Sequence, residues 1–391
     1  MSEIKVNSIK GVAASSAAIT VNNTDGTCTA NITNNLSNRN KVINGGMTCC
    51  QRATTFAVTG STNAYVVPDR FKCVNVHDGA YTLTQSTTSP DGFSSSIKVD
   101  VTTADTSLTT SQRLYFAHFI EAQDLQDLAY GTSSAKSVVV SFYVRSNKTG
   151  NYAFALNQAD NGFKNISFQY TISSANTWER KSFVIPGDTA GVINNDNGTG
   201  IEMYFWLAAG PTYTSGSTQS SWTAYSNGDF AAGQGVNLLD STSNEWYLTG
   251  VQFEINSSGV ATDFEHRSFG QELALCQRYF YNHVTQESSS TKTIGNSMTY
   301  TDNYIFVDIQ YPVTMRAAPT LVQTTGTDYY RAYSNGSSDN FNQFVQVHDV
   351  GKNCLLLSAN NAGGVSGRTA GHAGFVITLS TGASLSFSAE L

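Results

Sequence analysis

Between Arg39 and Arg267 apolar and polar positions alternate, or merge into short apolar runs, at Ala80–Gln85, Ser96–Val101, Ser137–Arg145, Tyr152–Asn157, Ile166–Ile172, Glu179–Ile185, Ile201–Ala208 and Glu245–Ile255. Side chains of a strand point to opposite sides in turn, so these runs predict strands with one or both faces buried. Turn signals such as Asn161-Gly162 and Asn227-Gly228 separate them. Strands in this number and spacing predict two packed antiparallel sheets, a jelly-roll-type β-sandwich over residues 39–267. In Ser141–Arg145, Phe142 and Val144 should face the core while Tyr143 and Arg145 face out. A short helix is predicted around Ile120–Tyr130, closed by Gly131.

The period changes at Ser268. Ser268 with Gln271 reads as a capping box, and Phe269, Leu273, Cys276 and Phe280 recur at helical spacing, which predicts a connector helix within residues 268–283 that packs this face on the sandwich. Strand patterns return at Tyr304–Tyr311, Thr320–Thr324, Phe341–Val347, Cys354–Leu357, Gly374–Leu379 and Leu385–Ala389, a second small β domain over 284–391. Residues 1–38 hold scattered apolar residues, Ile4, Val6, Ile9, Ile19 and Val21, and no aromatic residue. A segment so poor in apolar area cannot offset roughly 1–2 kcal/mol of backbone entropy per residue alone, so it is expected to be an extended arm that gains order on another chain.

Charged residues make up 13% of the chain, about half the usual share, against 40% hydrophobic residues, so the surface relies on hydroxyl and amide groups around an ample core. A net charge of −7 without any basic stripe argues against nucleic acid. No apolar run approaches the roughly 18–20 residues that cross a bilayer, and Met1–Val6 lacks the apolar core of a signal peptide, so cytoplasmic synthesis without membrane insertion is expected. The six cysteines show no C-x-x-C pair and are expected as reduced, mostly buried thiols.

Three stretches carry a resemblance. They are Arg39–Met47 with Gln51-Arg52 and Pro68–Phe71; Leu248–Glu254 with Phe264–Ser268; and Leu275–Phe280, followed by Tyr311-Pro312 and Met315–Thr320. In this order they resemble a widespread type of double-stranded-DNA bacteriophage tail-fibre and virion-appendage protein, and residues 1–38 are similar to the N-terminal arms of marine, cyanophage- or podophage-like fibre proteins. The resemblance implies a carbohydrate-binding-module-like sandwich, a homotrimer, attachment to other tail or capsid proteins through residues 1–38, and binding of a host-surface polysaccharide as a glycan receptor by a protein located in the virion. A capsid-bound head fibre or decoration protein and a polysaccharide depolymerase spike are the alternatives.

Candidate chemistry is sparse. The histidines lack zinc spacing, no phosphate loop or Gly-x-Ser-x-Gly elbow occurs, and no cofactor, metal or catalytic centre is expected. Asp188 with Asn194–Asn197 offers oxygen ligands but fits no EF-hand loop, and reads as a solvated turn. Gln51-Arg52 with Asp69-Arg70, and Glu254 with Glu265–Arg267, read as buried polar struts, with an acidic-sugar site and an acid/base or metal cluster as the sharper readings. Two aromatic stretches are receptor candidates: Gly210–Gly235, with Tyr213, Trp222 and Tyr225, and Asp328–Tyr333, with Tyr329, Tyr330 and Tyr333. Aromatic rings among hydroxyls suit sugar rings, and packing within the domain or between subunits is the competing reading.

Overall fold

The computed structural model describes residues 7–10, 12, 18–22, 24, 28–30, 37–160, 162–285, 291–348 and 350–391. Among them, strands pair antiparallel in five sheets. Two sheets form the first domain. One orders its strands Glu179–Ile185, Val138–Ser146, Glu245–Ile255, Ser96–Thr103, Ala80–Ser86, Thr55–Val58; the other Thr223–Ala224, Lys164–Ile172, Gly150–Gln158, Thr199–Ala209, Arg113–Glu121, Phe71–Val76, Thr62–Tyr65. Number the eight central strands by chain order from Ser96–Thr103 to Glu245–Ile255, and the sheets read 1-8-3-6 and 2-7-4-5. That order is a jelly roll.

The core lies between the sheets. Phe142 is fully buried among Phe154, Tyr170, Phe183 and Phe205, with ring centroids 5.1–6.1 Å apart, and Val144 is buried beside it. Tyr143 and Arg145 face out, as their parity predicts. The central strand Arg113–Glu121 was not foreseen: aromatic residues at both parities, Tyr115, Phe116 and Phe119, hide its alternation. The helix expected at Ile120–Tyr130 is a 3-10 turn, Ala122–Leu128, and the left-handed residue that closes it is Ala129, not Gly131.

The connector helix spans Phe269–Gln277, with the Ser268/Gln271 capping box formed. Its predicted face is buried at Cys276 and Phe280 and half-buried at Leu273, but Phe269 is 61% exposed and Glu272 takes the buried side in its stead. Glu272 replaces a hydrophobe there because its carboxylate accepts from the Asn44 backbone N–H (2.5 Å) and lies 3.3 Å from Arg267. Gly45 passes so close to the sheet that a Cβ would meet the Val251 carbonyl at 2.1 Å, and Asn44 donates to the Cys49 and Asp69 carbonyls. The Asn-Gly-Gly segment is thus a packed corner between the helix and the first strands.

The second domain holds a three-stranded sheet, Phe280–Val284, Leu385–Ser388, Thr320–Gln323, and a seven-stranded one, Ser337–Phe341, Tyr330–Ser334, Ala373–Thr378, Thr293–Thr301, Tyr304–Gln310, Cys354–Asn360, Gln346–His348. Its first strand follows the helix directly, within the segment expected to be connector. The domains are joined by buried charge. Arg70, fully buried over the Tyr279 ring, pairs with Glu390, and Arg52 stacks on Phe280 and donates to the same carboxylate at 3.1 Å. Arg278 donates to both carboxylate oxygens of Glu121 at 2.9 and 2.7 Å.

In the arm, Ser8–Ile9, Ile19–Val21 and Cys28–Ala30 pair as a small antiparallel sheet. Its apolar candidates find no core: Ile9 is 54% exposed, and Ile19 and Val21 are half-buried. Ile4 and Val6 lie outside the described residues. Cys49, Cys73 and Cys276 are buried free thiols, and Cys50 and Cys354 are half-buried ones.

Candidate functional site

The outer face of the sandwich's seven-stranded sheet carries a second, separate aromatic layer. Strand register sets its rows. Thr223, Asn165, Asn157, Glu202 and Phe119 stand directly opposite one another on five adjacent strands. One step along, Ser167, Ala155, Tyr204, Ala117 and Lys72 form the next row, and Trp206, Tyr115 and Val74 belong to a third. All point outward because their chain neighbours Phe116, Phe154, Phe205 and Ile166 fill the core. The small residues Ala117, Ala153 and Ala155 leave a hollow walled by Tyr115, Tyr204 and Trp206.

Gly210–Gly235 crosses this face. Phe230 drops into the hollow with its ring 4.4 Å from Tyr204 and 5.0 Å from Trp206. Beneath this cover, Asn157 Oδ1, Asn165 Nδ2 and Trp206 Nε1 are buried without a hydrogen-bond partner among the described residues. Each unmet buried group costs about 1–3 kcal/mol. Beside the cover the row is more open: Lys72, Phe119 and Glu202 are half-buried, Tyr225 and Phe163 are exposed, and the Lys72 ammonium lies 5.4 Å from the Phe119 ring centre.

Burial pushes the Glu202 carboxyl above the usual range, while bonds from the Tyr204 hydroxyl and Asn157 Nδ2 (3.3 Å) and the nearby Lys72 charge pull it partly back. Burial likewise lowers Lys72, against the pull of Glu202. The strip therefore offers flat rings flanked by a carboxyl, an ammonium and amides, a set that binds a polyhydroxylated ring through its face and its edge.

The first aromatic stretch contributes unevenly. Tyr225 is exposed, and its hydroxyl donates to Asn227 at 2.9 Å. Tyr213 is half-buried against Trp206 and accepts from Arg113, and Trp222 is half-buried with its indole N–H on the Pro186 carbonyl at 2.8 Å, so both serve packing. In the second domain, alternation separates the other three. Tyr330 is corrected to a core residue: fully buried, stacked on Phe341, its hydroxyl donating to the Thr324 carbonyl at 2.8 Å. Tyr329 is half-buried against the same core. Tyr333 lies on the opposite, outer face, stacked on Phe375 at 4.9 Å. The two stretches therefore do not form one site.

The remaining polar motifs are occupied by the fold. Glu254 accepts from the Thr262 backbone N–H (2.9 Å) and hydroxyl (2.6 Å), Glu265 accepts from the Asn38 and Asn40 backbone N–H groups, and Arg267 donates to the Val42 carbonyl. Asp188 pairs with Lys164 at 2.8 Å and Asn197 donates to the Arg316 carbonyl at 2.7 Å; among the described residues no group of three or more metal-ligating side chains occurs. A cleft of about 500 Å³ between the domains is lined by Arg52, Tyr65, Asn282, Ser386 and Ser388 among others.

Lys72, Asn157, Asn165 and Glu202 went unnoticed in the sequence because each is one polar residue on a different strand. A usable signal existed in Arg113–Glu121 and Thr199–Ala209, whose aromatics at both parities mean that the second face is covered or adhesive.

No family model matches the sequence, and no curated protein matches it. Among solved structures, the chain is similar to a putative sugar binding protein from Bacteroides thetaiotaomicron (TM-score 0.30, 10% identity, 56% of this chain and 100% of that one). It is similar also to a protein described as a family 4 carbohydrate-binding module (TM-score 0.27, 12% identity, 55% of this chain and 99% of that one). A third is the enzymatically active domain of tailspike protein 4 of bacteriophage CBA120 (TM-score 0.29, 12% identity, 56% of this chain). The match spans 21% of that chain. Likeness at these scores carries no functional argument; the jelly-roll assignment rests on the strand order.

Proposed function

We propose that this chain is a structural, glycan-binding component of a phage virion, a tail fibre or fibre tip, that engages host-surface polysaccharide without cleaving it. The observation that carries the proposal is the strip on the outer face of the sandwich, where Phe119 and exposed Tyr225 flank Lys72, Glu202 and Asn157. Sugars are held by ring faces and by hydrogen bonds to their hydroxyls, and this strip supplies both. Glycoside hydrolysis calls for two carboxyl groups about 5–9.5 Å apart across the bond. The groups acting on Glu202 are instead Tyr204, Asn157 and Lys72, which favours a binding role.

The fibre reading adds two supports. In the arm's strands Ser8–Ile9 and Ile19–Val21 no residue is buried, which suits docking on another virion protein, and the second domain leaves Met298, Tyr300 and Phe375 at 50%, 61% and 43% exposed on one sheet face, which suits a contact between copies in a homotrimer.

Affinity electrophoresis against soluble polysaccharides from candidate host surfaces tests the binding. Phe119→Ala and Glu202→Gln should each weaken it by about tenfold, about 1.4 kcal/mol. Equal binding by both variants and the parent would place the glycan elsewhere, and fragments released from the polysaccharide would replace the structural reading with an enzymatic one. Deleting residues 1–38 should abolish incorporation into virions.

A further inference from the structure

We infer that Gly210–Gly235 is a hinged lid, and that the hollow now filled by Phe230 is the ring-stacking subsite for a neutral pyranose chain; this rests on the glycan-binding reading above. Phe230 is the lid's apolar plug. It is 5% exposed, and together with Ala231 it sits on the floor of Ala117, Ala153 and Ala155 between Tyr204 and Trp206. A pyranose ring is close in size to the phenyl ring it would replace, and two aromatic walls over a flat floor hold such a ring by its face.

Three features distinguish a cover from ordinary packing. First, the hydrogen-bonding capacity of Asn157 Oδ1, Asn165 Nδ2 and Trp206 Nε1 is unmet among the described residues while the segment is down. One acceptor and two donors, spread over three adjacent strands, match the hydroxyls of a sugar chain laid across them. Second, apart from the apolar contacts of Phe230, Ala231 and Ala232 and the half-buried Tyr213 and Trp222, the segment is held to the sheet by polar contacts. The Gln219 side chain accepts from Ser167 (2.9 Å from its hydroxyl), Gln169 donates to the Gly233 carbonyl at 2.7 Å, and the two-residue strand Thr223–Ala224 pairs with Asn165 and Lys164. Water can replace each of these as it is broken. Third, the ends suit a hinge. Gly210 and Gly235 are tied by backbone bonds to Gln112 and Asn151 at 2.8 and 3.0 Å, and Gly233 adopts a left-handed φ of +84°. Neutral sugars fit because both signs of charge line the rim, Glu202 against Lys72 and Arg113, and no patch of one sign selects a charged sugar.

The experiment uses the full chain. A Ser167→Cys/Gln219→Cys pair, oxidised to a disulfide, should clamp the lid and weaken binding of soluble neutral glucans, xylans or galactans at least tenfold, with recovery on reduction; Phe230→Ala should strengthen binding. Undiminished binding by the oxidised pair overturns the lid. Hydrogen exchange gives a reading that needs no sugar: the amides of Tyr225 and Ala231, bonded to the Phe163 and Tyr213 carbonyls, should exchange faster than those of Gly150–Gln158 beneath, and slow exchange throughout overturns the lid whatever binds. If the lid opens by exchange yet no polysaccharide binds the parent or Phe230→Ala, the glycan reading fails and the lid stands.

Discussion

Each domain contains a seven-stranded antiparallel sheet with one face on a core, and their outer faces have opposite fates. On the sandwich, Trp206 and Tyr204 are 0% and 7% exposed because Gly210–Gly235 lies over them; on the second domain, Tyr300 and Met298 stand 61% and 50% exposed among the described residues. The local pattern is the same, aromatic residues at the outward parity of adjacent strands. Whether such a face becomes a second core or a bare surface is decided by a covering segment, and the low charge of both faces makes each adhesive to whatever can cover it.

The largest expected effect tests burial itself. Trp206→Ala should cost about 3–5 kcal/mol in urea unfolding, since it empties a filled site, whereas Tyr300→Ala should stay within about 0.5 kcal/mol in the isolated chain. Similar costs would mean that the covered face is no true core. Next, charging the bare face with Met298→Glu and Phe375→Glu should raise the concentration at half-dissociation of the oligomer by at least about tenfold, about 1.4 kcal/mol, in light scattering. An unaffected oligomer, or a parent that is monomeric, would assign that face to another partner.

The smallest effect is on pH dependence. Burial raises the Glu202 carboxyl in the folded chain, so the folded state keeps this proton to higher pH than the unfolded one. The protein therefore loses stability as pH rises from the ordinary glutamate value of about 4.3 through the raised one, and below both values the contribution is complete. Glu202→Gln lacks this slope. The melting temperature of the parent should fall relative to that of Glu202→Gln as pH is raised from acid to neutral, and parallel curves would show that the carboxyl is not perturbed.

Much of the architecture was legible in the sequence, for an identifiable reason. The Ser268/Gln271 box and the parity of Phe142 and Val144 are local codes, set by chain geometry over a few residues. Arg113–Glu121 was illegible because aromatic residues stand at both parities and its outer face is partly covered as well, which masks alternation. Phe269 misled because helical spacing identifies a face without saying which neighbour meets it, and Glu272 was drawn inward by Arg267 and the Asn44 N–H. In the candidate site, Tyr225 was recognisable from its aromatic, Gly-rich surroundings, while Tyr330 looked alike and is core, since one residue of register separates it from the outer face that Tyr333 occupies.

The order of apolar and polar residues by itself determined an all-β chain, its two domains and the helix between them, because those depend on contacts close along the chain. Only the tertiary structure decided which residues form the aromatic strip on the outer face of the sandwich, which aromatic face is covered, and that Arg52 and Arg70 meet Glu390 from the far end of the sequence. Those outcomes depend on strand order and register between segments from 45 to 338 residues apart, and no local pattern carries that information.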